Sequence, residues 1–388
     1  MHGPIRPTSS PEPLPTNRIV YRLILLLTTV MAALPHDLPA SPKKRILVVS
    51  SYHREYLWSQ ETHRGVSAAL LELGYLDHPD QVTTYTRTDT VESSQAVVQK
   101  VWMNTKNKSD PSELAVTTRR ILEQAQQFQP DLLLLGDDNA VRHIGSHYLD
   151  TPVPVVFWGI NIWPLKYGLL DSLEKPGHNV TGVYQPGYMQ DGLELLTRLV
   201  PGIQTLAILS DDSETSLAKV KDLHRKAEQG ALPVRIVGTV VTNHESEWKK
   251  GALALASQAD AIFLANHHTI KDAEGLPVDP LALGAWYLRH IRKPDIGDAK
   301  QFVQEGVLCT ADDSGYRQGY EAVRIAHRIL AQGADPAHMP PVAPPRGARI
   351  VNRERAHMLG IAPEILTSPW IDEIIEQAEA FQHHPESP

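Results

Sequence analysis

A set of aromatic, amide and carboxylate side chains recurs at one kind of place in the chain, just past a short apolar run. Ser51, Tyr52 and Trp58 follow RILVVS, Asp137 and Asp138 follow DLLLLG, and Asn161 follows VVFWG. Tyr184 follows NVTGV, Asp211 follows LAILS, Asn266 follows IFLA and Asp312 follows VLCTA. Rings offer flat apolar surface, amides offer directional hydrogen bonds and carboxylates offer charge. That mixture suits non-covalent capture of a small molecule. Inward-facing Asp137, Asp138 and Asp211 would favour a ligand carrying an amine. A second reading stands beside this one. Asp138, Asp211 and Asp312 each precede a helical pattern and could cap it, because Asp accepts from the free N–H groups of a helix start. Tyr52 and Trp58 could be half-buried core residues.

Bond-making chemistry finds less support. The sequence has no G-x-S-x-G elbow, no P-loop and no G-x-G-x-x-G turn, so no nucleophile or phosphate cradle is assigned and no enzyme is expected. The single cysteine, Cys309, ends an apolar run and reads as a buried structural thiol; it also excludes an internal disulfide framework. His143 and His147 have the i, i+4 spacing of a helical metal pair, without an H-E-x-x-H pattern or a third ligand. His267 and His268 are adjacent, and on a strand end they would point opposite ways. No metal and no cofactor are therefore assigned.

The elements that must position these residues alternate. RILVVS from Arg45, 131–136, 154–159, 205–210, 234–240 and 261–265 read as strands, several of them continuous apolar runs buried on both faces. Helical spacing covers 58–73, 112–128, 140–148, 187–200, 214–229, 245–257, 281–291 and 316–331. The stretch 81–87 is β-branched and alternating, and 104–111 reads as a polar loop between two helices. Such alternation implies an α/β fold with parallel sheets covered by helices. Two runs, about 45–160 and 165–305, suggest two similar lobes, with KPGHNVTGV at 175–183 as a crossover between them. A ligand then belongs beyond the carboxyl ends of the strands, where all the residues above fall.

With 388 residues, 37 Lys+Arg and 45 Asp+Glu, the chain carries a formal charge of −8 and has ample length for two domains. An acidic balance without basic clusters argues against nucleic acid as a partner. Arg18 and Arg22 precede an apolar run over 23–34, with small-residue exits after Ala33 and Ala40. This reads as a signal peptide within 1–40 that sends the chain to the periplasm, an uncleaved N-terminal anchor being the alternative.

Several blocks resemble the ABC-transporter substrate-binding family that includes tryptophan- and tyrosine-binding-type proteins. They are SSYHREYLWS, MNTKNKS followed by PDLLLLGDDNA, PVVFWGIN, YGLLDS, HNVTGVY and ARIVNRERAHMLGIAPEIL, scattered over about 45–370. The resemblance implies the type I periplasmic binding protein fold: two Rossmann-like lobes joined by a three-crossover hinge that closes on a ligand. The first lobe would comprise 45–162 plus 308–335 and the second 163–307 plus 336–380. The resemblance carries over Tyr52, Asp137, Asp138, Asn161 and Tyr184 as cleft residues. It departs at Asn104, where Asp is usual, at ANHHTI from Ala265, where NNAGI is common, and at Arg317 of RQG, where Glu is common. It implies an exported monomeric protein that captures a small molecule and delivers it to a membrane ABC permease. The alternative implied is a sensory module signalling to a membrane histidine kinase or cyclase.

Overall fold

The computed structural model describes residues 1–3 and 42–383, and the fold is the compact unit that begins at Lys43. The signal peptide expected within 1–40 lies outside the described residues apart from the first three. Among the described residues no helix is long and apolar enough to cross a membrane.

The first lobe runs β1 (Lys44–Ser50), α1 (Leu57–Glu72), α2 (Pro79–Thr88), β2 (Thr90–Glu92), β3 (Ala96–Trp102), α3 (Pro111–Phe128), β4 (Leu132–Gly136), α4 (Asp137–Ala140), β5 (Val155–Ile160) and β6 (Val180–Tyr184). Helix α4 continues through a π turn (Val141–Gly145) to Tyr148. The sheet order is β2-β3-β1-β4-β5-β6, parallel except at β2. Every residue of β4 and β5 is buried, as their unbroken apolar runs require when helices cover both faces.

The second lobe runs α5 (Met189–Leu199), β7 (Thr205–Ser210), α6 (Glu214–Glu228), β8 (Arg235–Val241), α7 (Glu245–Gln258), β9 (Ala261–Asn266), α8 (Pro280–His290), β10 (Asp295–Ile296), α9 (Lys300–Glu305) and β11 (Cys309–Ala311). Helix α10 (Gly315–Gln332) returns to the first lobe. Strand β12 (Arg349–Asn352), α11 (Arg353–Met358), β13 (Glu373–Ile375) and α12 (Glu379–His383) complete the second. Its sheet order is β13-β12-β11-β10-β9-β7-β8, with β11 and β12 antiparallel. Arg355 is wholly buried here. Its Nη2 lies 2.5 Å from Asp295 Oδ2, and the guanidinium also donates to the carbonyls of Leu288, Ile291 and Lys293.

Sheet membership puts the crossovers elsewhere than at 162/163, 307/308 and 335/336. Strand β6 pairs with β5, so 180–183 belong to an edge strand of the first lobe and 175–179 lead into it, which leaves no crossover there. Strand β11 pairs with β10 in the second sheet. Residues 336–342 stay with the first lobe, where Thr181 Oγ1 donates to Met339 O at 2.6 Å and Val342 bridges Val183. The chain therefore crosses between sheets at about 185–188, 312–314 and 343–348.

Two local expectations also change. The alternating stretch 81–87 lies in α2, because Pro79 and Asp80 start a helix that buries Tyr85 alone and stops at Asp89 in the left-handed region, φ 62°. The loop at 104–111 follows a strand, β3, whose AVVQKVW pattern is broken by Lys100. Lys100 is tolerated inside because its ammonium lies 3.4 Å from Asp89 and over the Tyr85 and Trp102 rings. Arg54 also pairs with Asp89, at 2.5 Å, closer to solvent.

Helices α1 and α10 touch backbone to backbone. A Cβ on Gly65 would stand 2.0 Å from Tyr316 O, and one on Gly319 would stand 2.1 Å from Thr62 O. Only glycine permits that approach, and Ala322, Val323 and Ala326 on α10 then complete the core over β1 and β4.

Candidate functional site

The carboxyl ends of both sheets face a cleft between the lobes, lined by side chains of both. Tyr52, Trp58, Asp137, Asn161 and Asn266 line it, so the structure brings together half of the residues singled out from sequence.

The first-lobe wall is built from strand ends. Ser51 is buried below the surface, where its Oγ donates to Gly136 O at 2.6 Å and accepts from the Ala140 N–H at 2.8 Å. It ties the β1 loop to the start of α4 and does not line the cleft. Tyr52 stands above it. Asp137, at the end of β4, sits in the left-handed region with φ 69°, a strained conformation for a residue with a Cβ. That turn lets Trp58 Nε1 donate to its Oδ1 at 2.7 Å. Gly159 makes room for the pair, since a Cβ there would stand 2.6 Å from Asp137 Oδ1. Asp137 Oδ2 is buried with no hydrogen-bond partner, and burial pushes this carboxyl well above the ordinary range.

Asp138 is fully committed inside the protein. Its oxygens accept from the backbone of Asn161 and Ile162 at 3.0 and 3.1 Å, from the Tyr167 hydroxyl and from Thr215 Oγ1 at 3.1 Å. It positions Asn161 and reaches the second lobe; it does not cap α4. Tyr184 lies edge-on to Trp163 at 5.7 Å, outside the lining set.

Two of the remaining acids are structural. Asp211 accepts from Ser213 N and Oγ, from Ser216 Oγ and from Thr269 N, which fixes the turn before α6. Burial alone would raise its pKa, but Lys106 and these hydroxyls outweigh burial and hold it below the usual value. Asp312 Oδ1 accepts from Lys300 N at 2.8 Å, so it caps α9, while Ser314 caps α10. Its neighbour Asp313 ties crossovers together, accepting from Gly187 N at 3.2 Å and Gln318 Nε2 at 3.2 Å. Burial pushes both carboxyls up to about 7.

The structure adds cleft residues that the sequence reading passed over. From the first lobe come Tyr56, Lys106 and Gln185; from the second come Thr215, Lys219, Ala299, Gln301 and Phe302. Lys106 is nearly inaccessible, with its Nζ 4.7 Å from the Tyr52 ring centre and 5.3 Å from that of Tyr56. Burial lowers its pKa, opposed by Asp211, Asp137 and Asp138. Lys219 pairs with Asp298 at 2.7 Å and lies over Phe302. Tyr52, Tyr56 and Trp58 pack into the same apolar cluster as Leu209, Leu264 and Phe302 of the opposite lobe, so the two walls are in contact. Tyr52 to Thr215 at 3.2 Å, Gln301 to Tyr56 at 2.8 Å and the Arg142–Glu214 ion pair link the lobes.

The histidines also differ from expectation. The π turn interrupts the helix carrying His143 and His147, and among the described residues they join no cluster of metal-ligating groups. His267 and His268 follow β9 in a turn rather than on the strand, so they do not diverge: both approach Glu305, His268 Nε2 to Oε1 at 2.7 Å and His267 Nε2 to Oε2 at 3.6 Å. Among the described residues this is the cluster whose donors could hold a metal ion.

A model of the family described as ABC transporter substrate binding protein matches residues 61–369. The chain belongs to this family. A tyrosine-binding protein of Clostridioides difficile is 24% identical over 179 residues, 46% of this chain and 49% of the relative. The chain thus matches about half the length of that curated relative. Among solved structures, an ABC domain from Streptococcus pneumonia in complex with L-Trp superposes with a TM-score of 0.66 at 22% identity, over 86% of this chain and all of the other. The ligand-free, open structure of a substrate binding protein with adhesive properties from Clostridium difficile gives 0.62 at 20% identity, over 86% of this chain and 99% of the other. A conserved domain protein from Vibrio cholerae gives 0.66 at 17% identity, over the same share of this chain and all of the other. These likenesses establish the type I periplasmic binding fold of this family member: two α/β lobes with mostly parallel sheets.

Proposed function

We propose that this substrate-binding protein is exported, works as a monomer and captures a small zwitterion with a flat apolar body, an aromatic amino acid being the class to test first. On closure it hands that solute to an ABC permease. The carrying observation is an acid and a base set together on the first wall of one aromatic-lined cleft. Asp137 Oδ2 is an unpartnered carboxylate oxygen beside Trp58. The Lys106 ammonium rests on two tyrosine rings. An ammonium group of the ligand would satisfy the first and a carboxylate the second, with charge-assisted bonds in a site that excludes water. Tyr52, Trp58 and Phe302 supply ring surface for the body between them. The tyrosine-binding relative and the L-Trp complex point to the same class. The apolar run over 23–34 behind Arg18 and Arg22 supports export.

Calorimetry on the secreted form with L-tyrosine, L-tryptophan and L-phenylalanine, their decarboxylated amines and their deaminated acids tests the reading. An intact amino acid binds, and loss of either charged group weakens binding by about tenfold or more. Silence with every amino acid, alongside tight binding of an unrelated anion, overturns it. For the transport role, deleting the gene while leaving the permease intact abolishes uptake of the solute that binds; unchanged uptake overturns that part.

A further inference from the structure

Behind the cleft wall, three potential ligands converge from two elements of the second lobe. His267 and His268 come from the turn after β9, and Glu305 closes α9. Their donor atoms all lie within 4.8 Å of one another, and the three side chains are at most 6% exposed. The His268 ring stands edge-on to Tyr56 at 5.0 Å.

Hydrogen bonding inside the cluster is incomplete. Glu305 Oε1 faces His268 Nε2 and His267 Nε2 faces Pro280 O at 3.2 Å, but Glu305 Oε2 is buried with no hydrogen-bond partner. A buried polar atom left unsatisfied costs about 1–3 kcal/mol, so orphans of this kind call for an unseen partner. The surroundings are arranged as a second layer around such a partner. His268 Nδ1 contacts Asn266 Oδ1, which fixes the ring so that its Nε2 lone pair faces the carboxylate. Asn266 is held in turn by the backbone N–H groups of His267 and His268, at 2.9 and 3.3 Å.

We propose that His267, His268 and Glu305 bind one divalent first-row transition ion, zinc being the best fit to two imidazoles and a carboxylate. Zinc takes nitrogen and carboxylate oxygen at about 2.0–2.2 Å, which sets tetrahedral donors about 3.3–3.5 Å apart. The 3.6 Å separation of His267 Nε2 and Glu305 Oε2 already matches, and the ion replaces Pro280 O as the partner of that nitrogen. The 2.7 Å separation of His268 Nε2 and Glu305 Oε1 must open by about 0.6–0.8 Å, or Glu305 must present Oε2 instead. The ion pins the β9 turn to the end of α9, and so fixes Asn266, Gln301 and Phe302 in the second wall of the cleft. The proposal is independent of the ligand reading above.

The test uses the full secreted chain, refolded with zinc sulfate or with a chelator and then freed of loose metal by gel filtration. The zinc-refolded protein retains one equivalent by mass spectrometry of the metal, melts at a higher temperature than the chelator-treated form, and gives the intense visible bands of a four-coordinate N/O site when cobalt(II) replaces zinc. Glu305→Gln, close to isosteric, and His268→Gln each weaken retention by at least about tenfold. Wild-type protein holding no metal after zinc refolding overturns the proposal. So does a Glu305→Gln variant that keeps its metal as tightly as wild type, which places the ion on surface histidines. A cobalt form with only the pale spectrum of a hexa-aqua-like ion overturns it with no variant needed.

Discussion

The two lobes reach the cleft by different means. In the first, the side chains sit on the loops that leave β1, β3, β4 and β5, and bonds within that lobe hold them: Trp58 to Asp137, Asp138 to Asn161, Ser51 to Gly136 and Ala140. In the second, most come from helices: Thr215 and Lys219 from α6, Gln301 and Phe302 from α9. Several of these find their partners across the gap, as Thr215 does with Tyr52 and Gln301 with Tyr56. Under the proposed capture of a ligand by closure, the first wall is held mainly within its own lobe and the second gains its partners when the lobes meet. That division separates recognition from trapping, because preorganised groups lose little entropy on binding. Two ion pairs away from the cleft also differ in burial. The second lobe buries Arg355 and Asp295 completely, whereas the first keeps Arg54 and Asp89 within reach of water.

The largest contrast to test is this last one. Arg355→Met strands a buried Asp295 carboxylate and costs about 3–5 kcal/mol in urea unfolding, while Arg54→Ala costs less than about 1 kcal/mol. Equal losses would erase the distinction. Next comes ligand affinity. Trp58→Ala removes ring surface and orphans Asp137 Oδ1, so binding falls by about tenfold or more in calorimetry, against a few-fold for Gln301→Ala. A reversed ranking would assign recognition to the second lobe.

A third, smaller effect concerns the hinge that separates the walls. Burial raises Asp312 and Asp313 from 3.8 to about 7, so the folded chain holds their protons more tightly than the unfolded chain. Their stabilising contribution is complete below pH 3.8 and is lost as pH climbs toward 7. Asp313→Asn flattens that part of the pH–stability curve in thermal melts, and an unchanged slope refutes the assignment. The smallest effect is on closure. Thr215→Val deletes the hydroxyl that meets Tyr52 and Asp138, shifting the open–closed balance by about 1 kcal/mol. Small-angle scattering reads this as a larger radius of gyration before ligand is added. No change would mean that Arg142–Glu214 and Tyr56–Gln301 suffice.

What could be read from the sequence follows the same division. The long buried strands β1, β4, β5, β7 and β9 announce themselves as apolar runs, and looking past their ends found Tyr52, Trp58, Asp137, Asn161 and Asn266. Lys106 follows β3, which was overlooked because Lys100 interrupts its pattern; the cation is paired by Asp89, 11 residues earlier, a partner that only the fold supplies. Gln301 and Phe302 follow β10, a strand of two residues that leaves no periodic signal. Thr215 and Lys219 lie in the first two turns of a helix, beyond where strand-end reasoning looks. Asp211 and Asp312 satisfied the positional rule, yet their carboxylates are spent on turns and a cap.

The glycine contact between α1 and α10 bears on the order of events during synthesis. The sheet of the first lobe is encoded by residue 184, but the helix that covers its core ends only at Gln332. A nascent chain that has emerged as far as the second lobe still exposes the apolar faces of β1, β4 and α1, with glycine grooves that nothing nearer in sequence fills. The first lobe to be made is thus among the last parts to be finished. Under the proposed export as an extended thread, the delay is an advantage: the chain stays translocation-competent until almost all of it exists, then closes both lobes together.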